Sequence, residues 1–362
     1  MSIDRIIIYI MVIFAVLGAI DRIIGNKFGL GEQFEEGIMA IGSLALSMVG
    51  IIALAPVIAN LLKPVVVPVF NFLGADPAMF AGTILANDMG GASLAAELAN
   101  TTEAGLFGGL IIGSMMGVTI VFTIPVALGI IEPSDRKYLA TGVLAGVITI
   151  PVGSFVAGLV AGFPLMMVVK NLVPIVIIAI LIALGLWKFE GAMITGFTWF
   201  GRFIIGVITF GLIAGIVEAL TGIVIIPGMN PISEGFEIVA DIAIVLAGAF
   251  PLVLVITRVF KKPLMKLGKM VGMNDVAAAG IVASLANSIP MFQMVKDMDA
   301  KGKIINFAFA VSAAFVFGDH LGFTAGFNST MIVPMIVGKL VSGVSAFVLA
   351  MFIANKTLEE KK

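Results

Sequence analysis

The chain has 362 residues, of which 60% are apolar and 12% charged, against roughly 45–50% and ~25% in an average soluble domain. So few charged side chains cannot solvate a globule of this size, which excludes a soluble enzyme, a nucleic-acid binder and a disordered scaffold; the composition fits about ten crossings of ~20 apolar residues. A net charge of −1 implies no anionic partner, and zero cysteines exclude a disulfide framework, a Cys-ligated metal and a thiol nucleophile. No metal or cofactor is expected, and the lipid bilayer is the partner that the composition demands.

The first apolar stretch, Ile6 to Ile20, runs into Asp21-Arg22 without a small-residue cleavage pattern and reads as a retained span. Uninterrupted apolar segments predict spans near 3–24, 37–62, 104–131, 138–162, 165–187, 203–227, 236–257, 304–327 and 330–354. Two further stretches are apolar but broken: 64–103 by Pro64, Pro68, Pro77 and Gly90-Gly91, and 263–300 by Pro263, Gly272, Gly280 and Pro290. Each reads either as one crossing or as a hairpin that leaves on the side it entered. Trp187 and Trp199 flank the 188–202 loop as interfacial belt residues, and Glu132 to Lys137 form a compact charged turn.

Charge selects between the two topologies. With both broken stretches re-entrant and the N-terminus outside, seventeen of the 21 basic residues fall on the cytoplasmic side. These include Arg22, Lys27, Arg136, Lys137, Arg202, Arg258, Lys261, Lys262, Lys266, Lys269, Lys303 and the C-terminal Lys361 and Lys362. Arg5, Lys63 and Lys170 lie outside, and Lys339 falls within a span. Eleven full crossings would lose this asymmetry, so the positive-inside bias favours nine spans and two hairpins.

The two broken stretches resemble each other. Leu85-Ala86-Asn87-Asp88 matches Leu285-Ala286-Asn287-Ser288, and Lys63-Pro64 matches Lys262-Pro263. Each stretch is followed by Gly-x-x-x-Gly-x-Thr, at Gly113, Gly117 and Thr119 and again at Gly318, Gly322 and Thr324. Three matches in one order predict a duplication: a first unit over 1–162 (hairpin about 64–103), a connector helix and cytoplasmic loop over 163–198, and a second unit over 199–362 (hairpin about 263–300). An odd number of crossings per step inverts the second unit. The expected fold is an all-α polytopic membrane protein, an inverted-repeat transporter with about nine to eleven transmembrane helices and two re-entrant or broken-helix hairpins. Irregular backbone within a bilayer is tolerated only where protein or a wet cavity satisfies it, as in secondary transporters.

Intramembrane polar groups are therefore the expected binding residues. Asp88, beside Asn87 at the first hairpin tip, adds a negative charge to the carbonyl end of a half-helix and suits a cation; the bland alternative is a cap for the next half-helix. Asn287 and Ser288 at the matching tip suit a neutral polar group. Asp319 and His320 stand alone among apolar residues, Asp319 as cation site and the pair as a route for proton coupling. Thr119 and Thr324 complete the expected site. Phe317 or Phe323 would supply cation–π contact beside Asp319, and Glu218, Glu237 and Asp241 a cation-attracting vestibule.

These segments resemble the ethanolamine permease family, integral membrane transporters encoded with bacterial ethanolamine-utilisation systems. The resemblance runs from Tyr9-Ile10-Met11 almost to the C-terminus. It is strongest in Gly31-Glu-Gln-Phe-Glu-Glu-Gly37, in Met79-Phe-Ala-Gly-Thr83 leading to Asp88-Met-Gly-Gly91, and from Gly113 through Thr119-Ile-Val-Phe122 to Pro125 and Arg136. Val118 stands where the family leads one to expect proline. The resemblance implies import of ethanolamine across the bacterial cytoplasmic membrane to feed an ammonia-lyase pathway, and it carries over no list of ligand residues. A protonated amino alcohol suits one acidic and one neutral polar tip, whereas a carboxylate substrate would call for a midplane Arg or Lys, and none is expected there. Two other readings are a membrane subunit of a sodium-translocating decarboxylase-like enzyme and a passive channel. The coupling ion and the oligomeric state, a homo-oligomer included, stay open.

Overall fold

Asp21 shows how the first two helices are joined. Near the end of α1 (Ile3–Ile23), its buried carboxylate accepts N–H bonds from Phe28, Leu30 and Gly31 at 3.0, 2.8 and 3.0 Å, satisfying amides that the first turn of α2 (Leu30–Phe72) would leave orphaned. The computed structural model describes residues 3–359, so Lys361 and Lys362 of the charge count lie outside the described residues. Within them all regular structure is helical, and eight helices are long and apolar enough to cross a bilayer.

After α2 come two short helices, α3 (Ala78–Ile84) and α4 (Ala92–Leu98), then α5 (Thr102–Ile130), α6 (Arg136–Val160), α7 (Leu165–Lys188) and α8 (Glu190–Thr221). The second half continues with α9 (Ile232–Met270), the short α10 (Asp275–Ala286) and α11 (Ser288–Met294), then α12 (Ala300–Ala313), α13 (Asp319–Phe327) and α14 (Ile332–Glu359).

Small residues let the long helices approach. A Cβ on Gly37 of α2 would lie 2.5 Å from the Ala247 nitrogen of α9, and one on Gly153 of α6 would lie 2.3 Å from the Gly338 carbonyl of α14. Lipid tails offer helices no hydrophobic reason to associate, so such close backbone packing carries the assembly.

Both broken stretches fold as hairpins whose ends meet. Asp76 accepts from Ala78 N at 2.9 Å and Asn100 N at 3.0 Å, clasping the entry and exit of the first. In the second, Asp299 accepts from Asn274 N at 2.8 Å while the Asn274 amide donates to the Asp297 carbonyl at 2.9 Å.

Three expectations need correction. Pro64, Pro68 and Pro263 do not open the hairpins, because α2 and α9 run through them to Phe72 and Met270. All three prolines are exposed, and the helices continue past each of them at the cost of an intrahelical N–H bond. The cytoplasmic loop expected up to residue 198 shrinks to a break at Phe189 before α8. The span expected over 304–327 is interrupted at 314–318, where Phe315 takes φ 63°. Freed amides there find partners on α10: Phe315 N donates to the Ser284 carbonyl at 3.0 Å and Phe317 N to Leu285 at 2.9 Å.

Candidate functional site

The first hairpin supplies a carboxylate. Leu85 and Ala86 are extended after α3, and Gly90 (φ 87°) turns the chain back into α4. A Cβ at Gly90 would collide with Ile51 of α2, and one at Gly117 of α5 would lie 1.8 Å from the Leu85 carbonyl, so the tip is wedged between two long helices. Asp88 sits on this turn, half-buried, and makes no cap for α4, whose N-cap is Gly91 without a side-chain bond.

The 314–318 break supplies the second. Asp319 opens α13 and is half-buried, and His320 follows fully buried with Nδ1 unpartnered. Gly318 is indispensable to this local course, since a Cβ there would lie 2.0 Å from the Ala286 carbonyl of α10.

Asp88, Asp319 and His320 face one cavity of about 830 Å³, which α2, α5 and α8 enclose. At roughly 30 Å³ per water it has room for on the order of two dozen waters, far more than one small ligand needs. Phe122 and Phe315 form its aromatic wall, their rings edge to face at 5.5 Å, with the His320 ring 5.2 Å from Phe315. Ser43 and Ser47 of α2 and Thr195 and Thr198 of α8 line its sides. Arg136, Trp199 and Arg202 also belong to the lining, on the stretch of wall that the charge count puts on the basic side. The cavity therefore joins two carboxylates to the basic end of the bundle.

A model of the family described as "Ethanolamine utilisation protein, EutH" matches residues 3–353. The chain belongs to this family. It is 68% identical to the probable ethanolamine permease EutH of Listeria monocytogenes serotype 1/2a (strain 10403S), over all of this chain and 97% of that protein. It is 52% identical to the probable ethanolamine permease EutH of Escherichia coli (strain K12), over 98% and 97% of the two chains. It is 50% identical to the uncharacterized protein YxeR of Bacillus subtilis (strain 168), over 96% and 94%. No solved structure matches. EutH membership makes this a multi-pass membrane protein of a permease family rather than an enzyme.

The other residues expected at the site lie elsewhere in this EutH chain. Asn87 is fully buried with both amide atoms unpartnered and does not line the cavity. Asn287 caps α11 by accepting from Ile289 N at 2.8 Å, and Ser288 is buried behind it with its hydroxyl unpartnered. Thr119 joins α5 to α12, donating to the Met115 carbonyl at 2.6 Å with the Val311 carbonyl at 3.2 Å. Thr324 is buried along α13, its hydroxyl unpartnered. The aromatic wall is Phe122 and Phe315, not Phe317 and Phe323, and Glu218, Glu237 and Asp241 stand outside the cavity.

Lys339, which the sequence places within a span but gives no role, is fully buried in α14, its Nζ donating to the Ser114 carbonyl at 2.5 Å. Asp135 is a second case: the buried residue of the charged turn, it accepts from Lys303 Nζ at 2.5 Å.

Proposed function

We propose that this protein imports protonated ethanolamine by alternating access, with the ammonium held between Asp88 and Asp319. One observation carries the reading: two separate breaks in the helical backbone, 85–91 and 314–318, each deliver a carboxylate to the same cavity. Intramembrane carboxylates are costly and are kept where they bind or relay a cation. The names of the Listeria and Escherichia relatives supply the substrate. In this arrangement Phe122 and Phe315 offer their faces to the ammonium, Ser43, Ser47, Thr195 and Thr198 are the hydroxyls nearest to hand for the alcohol end, and His320 is the proton-coupling group beside Asp319.

The same reading takes the two hairpin units as inverted repeats, 1–162 and 199–362 about the connector 163–198. Its supports are the packing of the long proline-containing α2 and α9, antiparallel because Gly37 meets Ala247 and Val49 meets Gly235, the hairpin that follows each, and the acid–amide clasp closing each hairpin. Gly113 and Gly318, the first glycines of the two Gly-x-x-x-Gly motifs, both press on a hairpin break, a Cβ on Gly113 lying 3.0 Å from Asn87 N. The cavity reaches the basic side and corresponds to an inward-open state. A smaller cavity of about 360 Å³ at the far ends of α4 and α13, lined by Ala96, Asn100 and Phe327, marks the outward route.

Uptake of labelled ethanolamine into proteoliposomes, with and without proton or sodium gradients, tests the reading. Saturable uptake that Asp88→Asn and Asp319→Asn both impair, at matched protein levels, is the expected result. Wild-type uptake no faster than in protein-free vesicles would overturn it.

A further inference from the structure

Two elements run from the large cavity to the smaller one. On the first hairpin, Asp88 and Met89 line the large cavity, while Ala92 and Ala96 of α4 line the small one. On α13, His320 lines the large cavity and Phe327 the small one. Residues 320, 324 and 327 share a face at helical spacing. It lies opposite Gly322 and Gly326, where an added Cβ would press on Leu246 and Ile242 of α9. The 87–91 turn packs against α13. Thr324 therefore stands in the partition between the cavities, about 6 Å along the helix from His320, and lines neither of them.

Its hydroxyl differs from those of the other helical threonines around it. Thr83, Thr119, Thr195 and Thr198 each donate to the carbonyl four residues back, at 2.6, 2.6, 2.8 and 2.9 Å, the usual way for a helix to satisfy such a group. Thr324 is fully buried and makes no such bond, nor any other among the described residues. A buried hydroxyl left unpartnered costs stability. The hydroxyls of the large cavity are committed: Ser43 and Ser47 donate to the Ala40 and Ser43 carbonyls at 3.0 Å each, and Thr195 and Thr198 donate as above. These four can still accept a hydrogen bond. Thr324 has both its donor and its acceptor free, which matches an alcohol, itself both donor and acceptor.

We propose that the substrate crosses between α4 and α13 and that Thr324 is the specificity-determining residue that receives its hydroxyl there. Passage through the partition strips water from the alcohol group, and an alcohol moved into apolar surroundings without a partner is penalised. On the α4 side, Ala92 and Ala96 offer only methyl groups. Thr324 replaces the lost water with a protein partner, and the alcohol satisfies Thr324 in return. Ser43, Ser47, Thr195 and Thr198 serve the alcohol in the large cavity, and Thr324 serves it in transit. An amine of the same size without the hydroxyl leaves Thr324 unpartnered and is disfavoured. The inference rests on the reading of this protein as an ethanolamine carrier and names the group that recognises the alcohol end.

The test measures how well unlabelled ethanolamine and ethylamine, the same cation without the hydroxyl, compete with labelled ethanolamine for uptake into proteoliposomes. Wild type is expected to prefer ethanolamine about tenfold. Thr324→Val keeps the shape and removes the hydroxyl; it should cut that preference below about threefold by weakening ethanolamine alone. Thr324→Ser should keep the preference. A wild-type preference retained in Thr324→Val, both amines weakened equally, or a serine variant that behaves as the valine one overturns the proposal. Should Thr324→Val fail to fold, Thr324→Cys decides against Thr324→Ser: a thiol of similar size hydrogen-bonds weakly and must lose the preference that serine keeps. Failure of the carrier reading shows separately, as wild-type ethanolamine uptake no faster than in protein-free vesicles.

Discussion

At the scale of single residues, the cavity divides its side chains by what they can offer a small ammonium ion. Asp88 offers charge not used to cap the following helix, and no base among the described residues pairs with it within 4 Å. A charge-assisted hydrogen bond contributes ~1.5–3 kcal/mol, so Asp88→Asn is expected to weaken ethanolamine binding about ten- to a hundredfold, read by calorimetry on folded protein. Phe122 offers only its ring face. Phe122→Leu keeps the apolar volume and loses a cation–π attraction of ~0.5–2 kcal/mol, so affinity should fall about two- to thirtyfold while thermal stability stays near wild type. Equal affinity in both proteins would place the ammonium away from the aromatic wall. Asp88 was legible in the sequence because a carboxylate beside Gly-Gly in an apolar run has few other uses. Phe122 was not, because phenylalanine is common in every span and nothing local distinguishes the one ring that meets a cavity.

At the scale of elements, the breaks matter more than the helices. The 314–318 segment keeps its hydrogen bonds by borrowing the carbonyls at the end of α10, and Gly318 makes that approach sterically feasible. Gly318→Ala would push a methyl group to 2.0 Å from the Ala286 carbonyl, a backbone atom with no rotamer to change. The expected result is loss of monodisperse protein or a clear drop in melting temperature. Gly129→Ala is the control, since nothing lies within 4 Å of its added Cβ, and it should melt as wild type does. The first hairpin turn announced itself by Asn-Asp-Met-Gly-Gly, whereas Ala-Ala-Phe-Val-Phe-Gly reads as continuous helix. The positive φ at Phe315 is imposed by tertiary pairing with α10, and no local propensity encodes it. Prolines misled in the opposite direction: Pro64, Pro68 and Pro263 lie on exposed faces where a helix can absorb them.

For the whole molecule, orientation follows from charge and can be checked cheaply in a chain without native cysteine. Glu103, just past the first hairpin, and Lys296, near the end of the second, are both exposed, and the charge asymmetry puts them on opposite sides. Single cysteines at these positions should react with a membrane-impermeant maleimide from outside at 103 and only after permeabilisation at 296. Labelling of both from the same side would overturn the outside-N topology. A cysteine at Ala96, in the smaller cavity, should change its labelling rate when ethanolamine is added, because the proposed alternating access would open one end of the α4–α13 pair as it closes the other.

What the sequence by itself determined is the class of solvent this chain folds in, the order of most of its long apolar helices, the breaks in the two interrupted stretches and the rarity of Asp88, Asp319 and His320 as ionisable groups in apolar surroundings. These follow from composition and local pattern, because a bilayer penalises each misplaced charge and each unsatisfied amide residue by residue. Only the tertiary structure decided which of the polar groups share a space. It brought the first hairpin and the 314–318 break to one cavity, turned Asn287 and Thr119 to structural bonds, and buried Lys339 against the Ser114 carbonyl. Those outcomes depend on which glycine faces which carbonyl across helices remote in sequence, a matter of packing that no single segment contains.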